Sequence, residues 1–232
     1  MKKALLTFAL LGAVASTQAK SWKIGPNSVT GMDFVSINAA MSSSNVNPGD
    51  TLYLDQYYSD NVKQVVNKKV VIIGTGYDTS LIDEGVVATL TDSLTLWADG
   101  IEVKSVKLNN VKFYADECTL DRCYANDIRI GTVPKGMNHI YSCYIIGQVG
   151  NQVLASSSIT SISGATTNTY VNAQLDIQNC LLFYSSAQNR ITNLTKSIIN
   201  NNTIIVGSSY YQIINVDNSQ ITNNILYNTS SL

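Results

Sequence analysis

Three segments near the end of the chain share a pattern that recurs every 22 residues. Each copy has an aliphatic residue, two spacers, Asn or Cys, one spacer and a second aliphatic residue. The copies are Ile177-Gln178-Asn179-Cys180-Leu181-Leu182, Ile199-Asn200-Asn201-Asn202-Thr203-Ile204 and Ile221-Thr222-Asn223-Asn224-Ile225-Leu226. A period of this length is typical of a solenoid, in which each unit buries its apolar face only against neighbouring units.

Looser copies of the pattern lie upstream. They begin at Leu108, Leu120 and Ile140, and the first of them has Val111 at the Asn/Cys position. The 12-residue step from Leu108 to Leu120 is too short for a whole coil, so we expect these two residues on different faces of one turn. The 37-residue step from Ile140 to Ile177 predicts either a degenerate coil or a protruding loop around residues 163–168.

The repeat also predicts how successive units stack. Short β-branched runs broken by turn residues indicate strands, and Asn tolerates the left-handed conformation that a sharp corner needs. Stacking at about 4.8 Å places equivalent residues above one another, so that Asn side chains can form a hydrogen-bonded ladder. We therefore predict a corner column of Cys180, Asn202 and Asn224, and a core column of Leu182, Ile204 and Leu226.

The four cysteines of the mature region fit this scheme better than a metal site. Cys123, Cys143 and Cys180 all fall at the Asn/Cys position, which predicts buried, unpaired, structural thiols. A disulfide between Cys118 and one of the other three is the alternative. The chain has no CxxC pair and a single His, so the spacing does not predict a metal ligand set.

The first part of the chain predicts a cap followed by strands. Phe34, Ile37, Ala40 and Met41 form one apolar helical face, which predicts a capping helix over residues 33–42 with its N-terminal cap within residues 30–33. A turn at residues 47–50 and strands at 51–54, 62–66 and 70–73 follow. The predicted organisation is a capping segment at 20–50 and β-helix coils at 51–232.

Residues 1–19 have the features of a secretory signal peptide. Lys2 and Lys3 precede an apolar run from Ala4 to Val14, and Thr17-Gln18-Ala19 places small residues before a cleavage site. The run is too short to span a bilayer, and no later segment is apolar enough to do so. We therefore expect an exported protein that is secreted, periplasmic or at the cell surface.

Taken together, these segments resemble a known superfamily. The order of a capping helix, a Pro-Gly-Asp-Thr-Leu-Tyr-Leu strand, Val-Val-Ile-Ile-Gly-Thr-Gly and Asn-Asn coils is similar to the pectin-lyase-like proteins, and most of all to exported repeat proteins of Gram-negative bacteria. The resemblance implies an all-β, right-handed parallel β-helix over residues 22–232. Members of the superfamily include polysaccharide lyases, glycoside hydrolases and adhesins, so the resemblance does not select an activity.

Charged residues do not form an evident catalytic set. The formal net charge of −1 argues against a nucleic-acid partner. The acidic residues cluster at Asp116, Glu117, Asp121 and Asp127, and the basic ones at Lys104, Lys107 and Lys112. We interpret the acidic cluster as a solvated face on which Arg122 and Arg129 pair with the acids, and His139 as a surface residue. No catalytic, cofactor-binding or metal-binding residue is predicted, and no cofactor.

Aromatic residues offer a different kind of contact. Tyr57-Tyr58, Trp97 and Tyr210-Tyr211 can stack on sugar rings if they are exposed, or else pack within loops. We therefore expect a structural, adhesive or glycan-contacting protein whose partner is a polysaccharide or cell-surface glycan. The alternative is a polysaccharide lyase or other polysaccharide-active enzyme, which convergence of three or more acids and bases in one groove would favour. The last coil lacks a capping segment, which predicts fraying of that coil, end-to-end association or completion by another polypeptide. We expect association or fraying in the isolated chain.

Overall fold

The computed structural model describes residues 18–77, 86–131, 136–147, 149–151, 174–184, 191–207 and 214–229. Nine parallel strands form sheet A. In spatial order they are β1 Ser21–Ile24, β2 Thr51–Leu54, β5 Val71–Ile73, β7 Glu102–Lys104, β9 Thr119–Asp121, β11 Met137–Tyr141, β14 Gln174–Gln178, β17 Ile198–Asn200 and β20 Gln220–Thr222. The spatial order follows the chain order, because each strand lies beside the equivalent strand of the next coil.

Twelve further strands form sheet B, which divides into two arms at β10. The strands are β3 Ser59–Asp60, β4 Gln64–Val66, β6 Thr89–Leu96, β8 Lys107–Phe113, β10 Tyr124–Ile130, β12 Tyr144–Ile145, β13 Val149–Asn151, β15 Leu181–Tyr184, β16 Ile191–Thr195, β18 Thr203–Val206, β19 Ile214–Asp217 and β21 Ile225–Asn228. The first half of β10 pairs with β12, which leads to β15, β18 and β21 (the first arm). Its second half pairs with β13, which leads to β16 and β19 (the second arm).

This topology confirms the predicted parallel β-helix. Ile177 pairs with Ile199 and Ile199 with Ile221 in sheet A, and the predicted core column of Leu182, Ile204 and Leu226 is in register in the first arm. A continuous apolar core runs between the sheets. Each 22-residue unit is therefore one coil, stacked on the next as the repeat predicts.

The upstream copies are only partly in the predicted register. Leu108 lies in sheet B and Leu120 in sheet A, so the prediction of different faces is confirmed. The placement of Val111 in the Asn/Cys column is wrong, because Val111 pairs with Ile128 in the half of β10 that leads to the second arm. Two apolar residues flanking a polar pair look alike on either sheet, which explains the false match.

The predicted corner column is present, and Nδ2 of Asn202 donates to Oδ1 of Asn224 (3.0 Å) within it. Each of these two amides also makes two hydrogen bonds to the backbone. Oδ1 of Asn202 accepts from the backbone N–H of Cys180 (2.9 Å), and its Nδ2 donates to the carbonyl of Ile177 (2.9 Å). Asn224 does the same one coil later, accepting from Asn202 N–H (2.9 Å) and donating to the carbonyl of Ile199 (2.8 Å). Each amide thus ties its own coil to the previous one.

The thiols make equivalent contacts. Sγ of Cys180 accepts from the N–H of Cys143 (3.4 Å) and donates to the carbonyl of Ile140 (3.4 Å). Sγ of Cys143 accepts from the N–H of Cys123 (3.4 Å) in the same way. Side-chain interactions with Cys123 and Cys180, together with burial, raise the pKa of the Cys143 thiol. All four cysteines are buried and unpaired.

The left-handed residue of the corner is not the column residue itself. Positive φ occurs one position earlier, at Ser105, Arg122, Ser142, Asn179, Asn201 and Asn223, with φ between 51° and 55°. The side chain that follows then points into the coil, where it can reach the previous carbonyl. We expected the Asn residues of the column to adopt the left-handed conformation themselves, and this explanation is wrong. The residue immediately before each of them adopts it.

A second column, which the repeat analysis missed, lies where the chain enters sheet A. Cys118 N–H donates to Oδ1 of Asn138 (2.9 Å), and Leu175 N–H donates to Oγ of Ser197 (2.9 Å). Ser197 N–H in turn donates to Oγ of Ser219 (2.9 Å). Cys118 therefore belongs to a ladder of its own, and burial raises the pKa of its thiol to about 11.

The N-terminal helix is shorter than predicted. Helix α1 spans Ile37–Ser42, and Ser36 caps it by accepting from the N–H of Ala39. Phe34 is extended instead and bridges to Ile24 of the unpredicted strand β1. The buried face of α1 is Ile37, Ala40 and Met41, as the spacing predicts.

Helix α1 lies against β4, at the start of sheet B. Asn38 bonds to this edge through its side chain, accepting from Val65 N–H (2.8 Å) and donating to the carbonyl of Lys63 (2.8 Å). Its own backbone N–H donates to Oε1 of Gln64 (2.8 Å). These bonds satisfy backbone groups that a free strand edge would leave open, and from them we infer a capping role for α1.

Several predicted features lie outside the described residues. They are the predicted signal peptide up to residue 17, the loop at 163–168 and Tyr210-Tyr211. Among the helices that the structure describes, none is long and apolar enough to cross a membrane.

Candidate functional site

Two surfaces of the coil gather polar and aromatic side chains, one on each sheet. The first is on the outer face of sheet A. His139 is in register with Asp176, and Tyr141 with Gln178, so that these four side chains form two adjacent rows on β11 and β14. Glu117 approaches from the turn that precedes β9. We call these five residues the histidine cluster.

A chain of hydrogen bonds runs through the histidine cluster. The Tyr141 hydroxyl donates to Oδ2 of Asp176 (2.7 Å) and lies 2.8 Å from Nδ1 of His139. Gln178 Nε2 donates to the other oxygen of Asp176 (2.7 Å). Because the tyrosine proton goes to Asp176, the tyrosine oxygen accepts from His139, which assigns the imidazole proton to Nδ1.

In a neutral imidazole, this assignment places the lone pair on Nε2 of His139. Nε2 faces Oε2 of Glu117 at 3.7 Å, and the Glu117 side chain is 67% exposed. Asp176 is nearly buried beneath the ring. Burial, followed by the bond to Asp176, raises the pKa of Tyr141 to about 12, so the phenol remains a proton donor at neutral pH.

Sequence reasoning treated these residues separately. It placed Glu117 in an acidic cluster with Asp121 and called His139 a surface residue, whereas the structure brings Glu117, His139 and Asp176 together. The sequence contains an indication of this contact. His139 and Asp176 each precede a core isoleucine by one position, and these isoleucines are the two ends of the 37-residue step. The intervening segment hid the register.

The remaining charged residues largely behave as predicted. Arg122 pairs with Asp121 (3.2 Å) and Arg129 with Asp127 (3.2 Å). Lys104 pairs with Glu102 (2.6 Å). Within the described ranges no three His, Cys, Asp or Glu side chains are grouped as metal ligands.

The second surface is a groove on the outer face of sheet B. It has a volume of about 240 Å³ and continues into a neighbouring depression of about 320 Å³ through Thr89 and Lys107. We call the first of these the sheet B groove. It is lined by Thr89, Leu90, Thr91, Lys107, Leu108, Asn109, Tyr124 and Asn126.

The sheet B groove combines a cation, an aromatic ring and amides. Lys107 Nζ lies 5.6 Å from the centre of the Tyr124 ring, and the Tyr124 ring packs edge-on against Tyr144. Asn126 Nδ2 donates to Oδ1 of Asn109 (2.5 Å), and Asn109 Nδ2 donates to the carbonyl of Thr91 (2.9 Å). The amides are thus held in place across three neighbouring coils.

The aromatic residues singled out in the sequence have different surroundings. Trp97 is 51% exposed and stacks in parallel on Tyr114, with ring centres 4.6 Å apart. Tyr58 is buried and donates to Asp60, so packing explains it, while Tyr57 is exposed beside the depression. Tyr124, which sequence reasoning did not select, is the aromatic residue of the groove.

No family model, curated protein or solved structure matches the chain.

Proposed function

We propose that this protein is an exported parallel β-helix that contacts a glycan through the sheet B groove. The observation that carries the proposal is the placement of the Tyr124 ring beside Lys107, Asn109 and Asn126 in one groove. Sugars offer apolar ring faces and many hydroxyl groups, which an aromatic ring and oriented amides complement. The pectin-lyase-like resemblance of the coils and the signal-peptide pattern agree with this role.

A glycan array probed with the exported protein tests the proposal. We expect Tyr124→Ala to weaken binding to the recognised glycan about tenfold or more, as for a truncated aromatic anchor. Lys107→Met should also weaken binding, because it removes the cation and keeps most of the side-chain length.

Trp97→Ala is the matched control, since it removes an exposed aromatic residue outside the groove. Thermal melting of each variant separates loss of binding from loss of fold. Unchanged binding by Tyr124→Ala, or equal loss in Trp97→Ala, would contradict assignment to this groove.

The histidine cluster supports a second candidate function, that of a polysaccharide lyase. If the Tyr141–Asp176 bond holds the proton of a neutral His139 on Nδ1, then Nε2, which faces Glu117, can accept a proton as an oriented general base does. We rank it second because the cluster is open and bordered by Glu117 and Asp121, which disfavour an anionic sugar.

Incubation with uronate polymers should then yield unsaturated products. These should be lost in His139→Gln and kept in Arg122→Gln, and the absence of products from the wild type would contradict this candidate.

We also propose that the last described coil associates with a second copy of the chain. Its core-row residues Ile221 and Leu226 are 48% and 59% exposed, whereas their counterparts one coil earlier, Ile199 and Ile204, are buried. Covering these side chains with a second copy is favourable, because it removes apolar surface from water.

A further inference from the structure

The buried carboxylate of Asp50 lies next to β1, the first described strand. Asp50 is 1% exposed and accepts three hydrogen bonds. The donors are the backbone N–H of Lys20 (2.7 Å), Nε1 of Trp22 (2.8 Å) and the backbone N–H of Asn47 (2.9 Å). No described Lys, Arg or His side chain pairs with it within 4.0 Å.

A buried ionised carboxylate is stable only when it is well compensated. Burial alone would raise the pKa of Asp50, but the backbone bonds from Asn47 and Lys20, the Trp22 bond and the nearby Lys20 side chain together lower it. The carboxylate therefore stays charged at neutral pH. Another cation near this corner is Lys68, whose Nζ donates to the carbonyls of Ser43 (2.6 Å) and Val46 (3.0 Å).

Lys20 also bonds to the neighbouring strand through its backbone carbonyl. Its carbonyl accepts from Thr51 N–H (2.8 Å), and β1 begins at the next residue. Gln18 and Ala19 are exposed and have no regular structure. The predicted signal-peptide cleavage site lies between Ala19 and Lys20.

We propose that cleavage between Ala19 and Lys20 creates an α-ammonium group that forms an ion pair with the buried carboxylate of Asp50. A signal peptidase of the host hydrolyses this amide. Water supplies the hydroxyl of the new Ala19 carboxyl group, and a proton goes to the Lys20 nitrogen. The 2.7 Å contact of that nitrogen with Oδ1 is then a charge-assisted bond of ordinary length. Removal of the signal peptide thus adds an ion pair to the contact between Lys20 and Asp50. This proposal rests on the proposed export.

The ion pair predicts a specific pH dependence. An α-amine with a carboxylate partner has a folded-state pKa above its unfolded value of about 8. The stability that it contributes is therefore complete below that value and is lost as pH rises through the folded-state pKa. An amide nitrogen at Lys20 does not titrate, so an unprocessed chain lacks this dependence.

The test begins with the full-length gene expressed in a Gram-negative host. Intact-mass analysis and N-terminal sequencing of the exported protein should give Lys20 as the first residue. In that protein the α-amine should react with an acylating reagent about tenfold more slowly than in denaturant, which corresponds to about one pKa unit. Asp50→Asn should remove the alkaline loss of stability. A variant that keeps an uncleaved Ala19 before Lys20 should lack it too.

The outcomes separate the two proposals. Protein that stays unprocessed inside the cell contradicts export, whereas exported protein that begins at another residue contradicts only the ion pair. An α-amine that reacts as fast in the folded as in the denatured protein also overturns the ion pair. This labelling measurement uses the wild type, so it remains decisive if Asp50→Asn does not fold.

Discussion

Asparagine and cysteine occupy the same column because that position needs one donor and one acceptor at the end of a short side chain. Asn202 uses two atoms, with Oδ1 facing the N–H of Cys180 and Nδ2 facing the carbonyl of Ile177. Cys180 performs both roles with a single sulfur atom. Thiol bonds are weaker, but a thiol also costs less to bury.

The first prediction compares two substitutions at Asn202. Asn202→Leu leaves the Cys180 N–H and the Ile177 carbonyl unsatisfied, each at about 1–3 kcal/mol, so the free energy of unfolding should fall by that order. Asn202→Cys restores the side chain found one coil earlier and should cost less. Denaturant unfolding of both variants measures the difference. If Leu is tolerated as well as Cys, the ladder does not stabilise the coil.

The second prediction concerns the thiols. Stacked strands hold equivalent residues about 4.8 Å apart with parallel side chains, whereas a disulfide requires Cβ atoms about 3.5–4.5 Å apart. Cys123, Cys143 and Cys180 should therefore remain unpaired even in an oxidising compartment. Alkylation after unfolding without reductant, followed by mass spectrometry, should find a free thiol at each of these three positions. A Cys143–Cys180 crosslink would refute the stacked arrangement.

At the scale of the element, the chain turns at corners where a single residue adopts a left-handed conformation. At the corner after sheet A this residue is Asn in the last three coils and Ser or Arg before them. Asparagine enters this region at little cost, while a β-branched residue is strained there. The turn residue and the column residue therefore act as a pair, one setting the backbone and the other closing the hydrogen bonds.

The third prediction tests this division at Asn201, where φ is 55°. Asn201→Gly should leave stability nearly unchanged, because glycine adopts positive φ freely. Asn201→Val should lower the free energy of unfolding by about 1–3 kcal/mol through backbone strain. Thermal denaturation of the two variants provides the comparison. Equal melting temperatures would show that the corner relaxes without cost.

For the whole molecule, the two ends of the apolar core differ. Only four Asp, Glu, Lys, Arg or His side chains occur from residue 140 onward, so the polar groups of that part of the chain are mainly amides and hydroxyls. The buried side chains of the described coils form one apolar cluster, which includes those of α1. At the last described coil, Ile221 and Leu226 are exposed to solvent.

The fourth prediction follows from that exposure. Light scattering over a concentration series should show an increase in mass, because Ile221 and Leu226 lose water-exposed area on association. Leu226→Lys should shift the population toward monomer by placing a charge in the contact. Val62→Lys serves as the control, since Val62 is similarly exposed far from this end. A monomer at all concentrations would exclude the association.

The sequence by itself determined the solenoid, its 22-residue register and the column of Asn and Cys. These features repeat, and stacking brings repeated positions together without further information. It also located the buried face of α1, but not the start of the helix, because Phe34 is drawn into a bridge with Ile24 that local propensity does not encode.

Only the tertiary structure decided where the candidate sites are. His139 and Asp176 meet across a 37-residue segment whose length conceals their common register. Tyr124 becomes a groove residue because Lys107 and Asn109 lie beside it in the previous coil. Lys20 and Asp50 are 30 positions apart and meet because β1 pairs with β2. In each case the contact depends on which strands are neighbours, and neighbours in a solenoid are set by coil length rather than by local sequence.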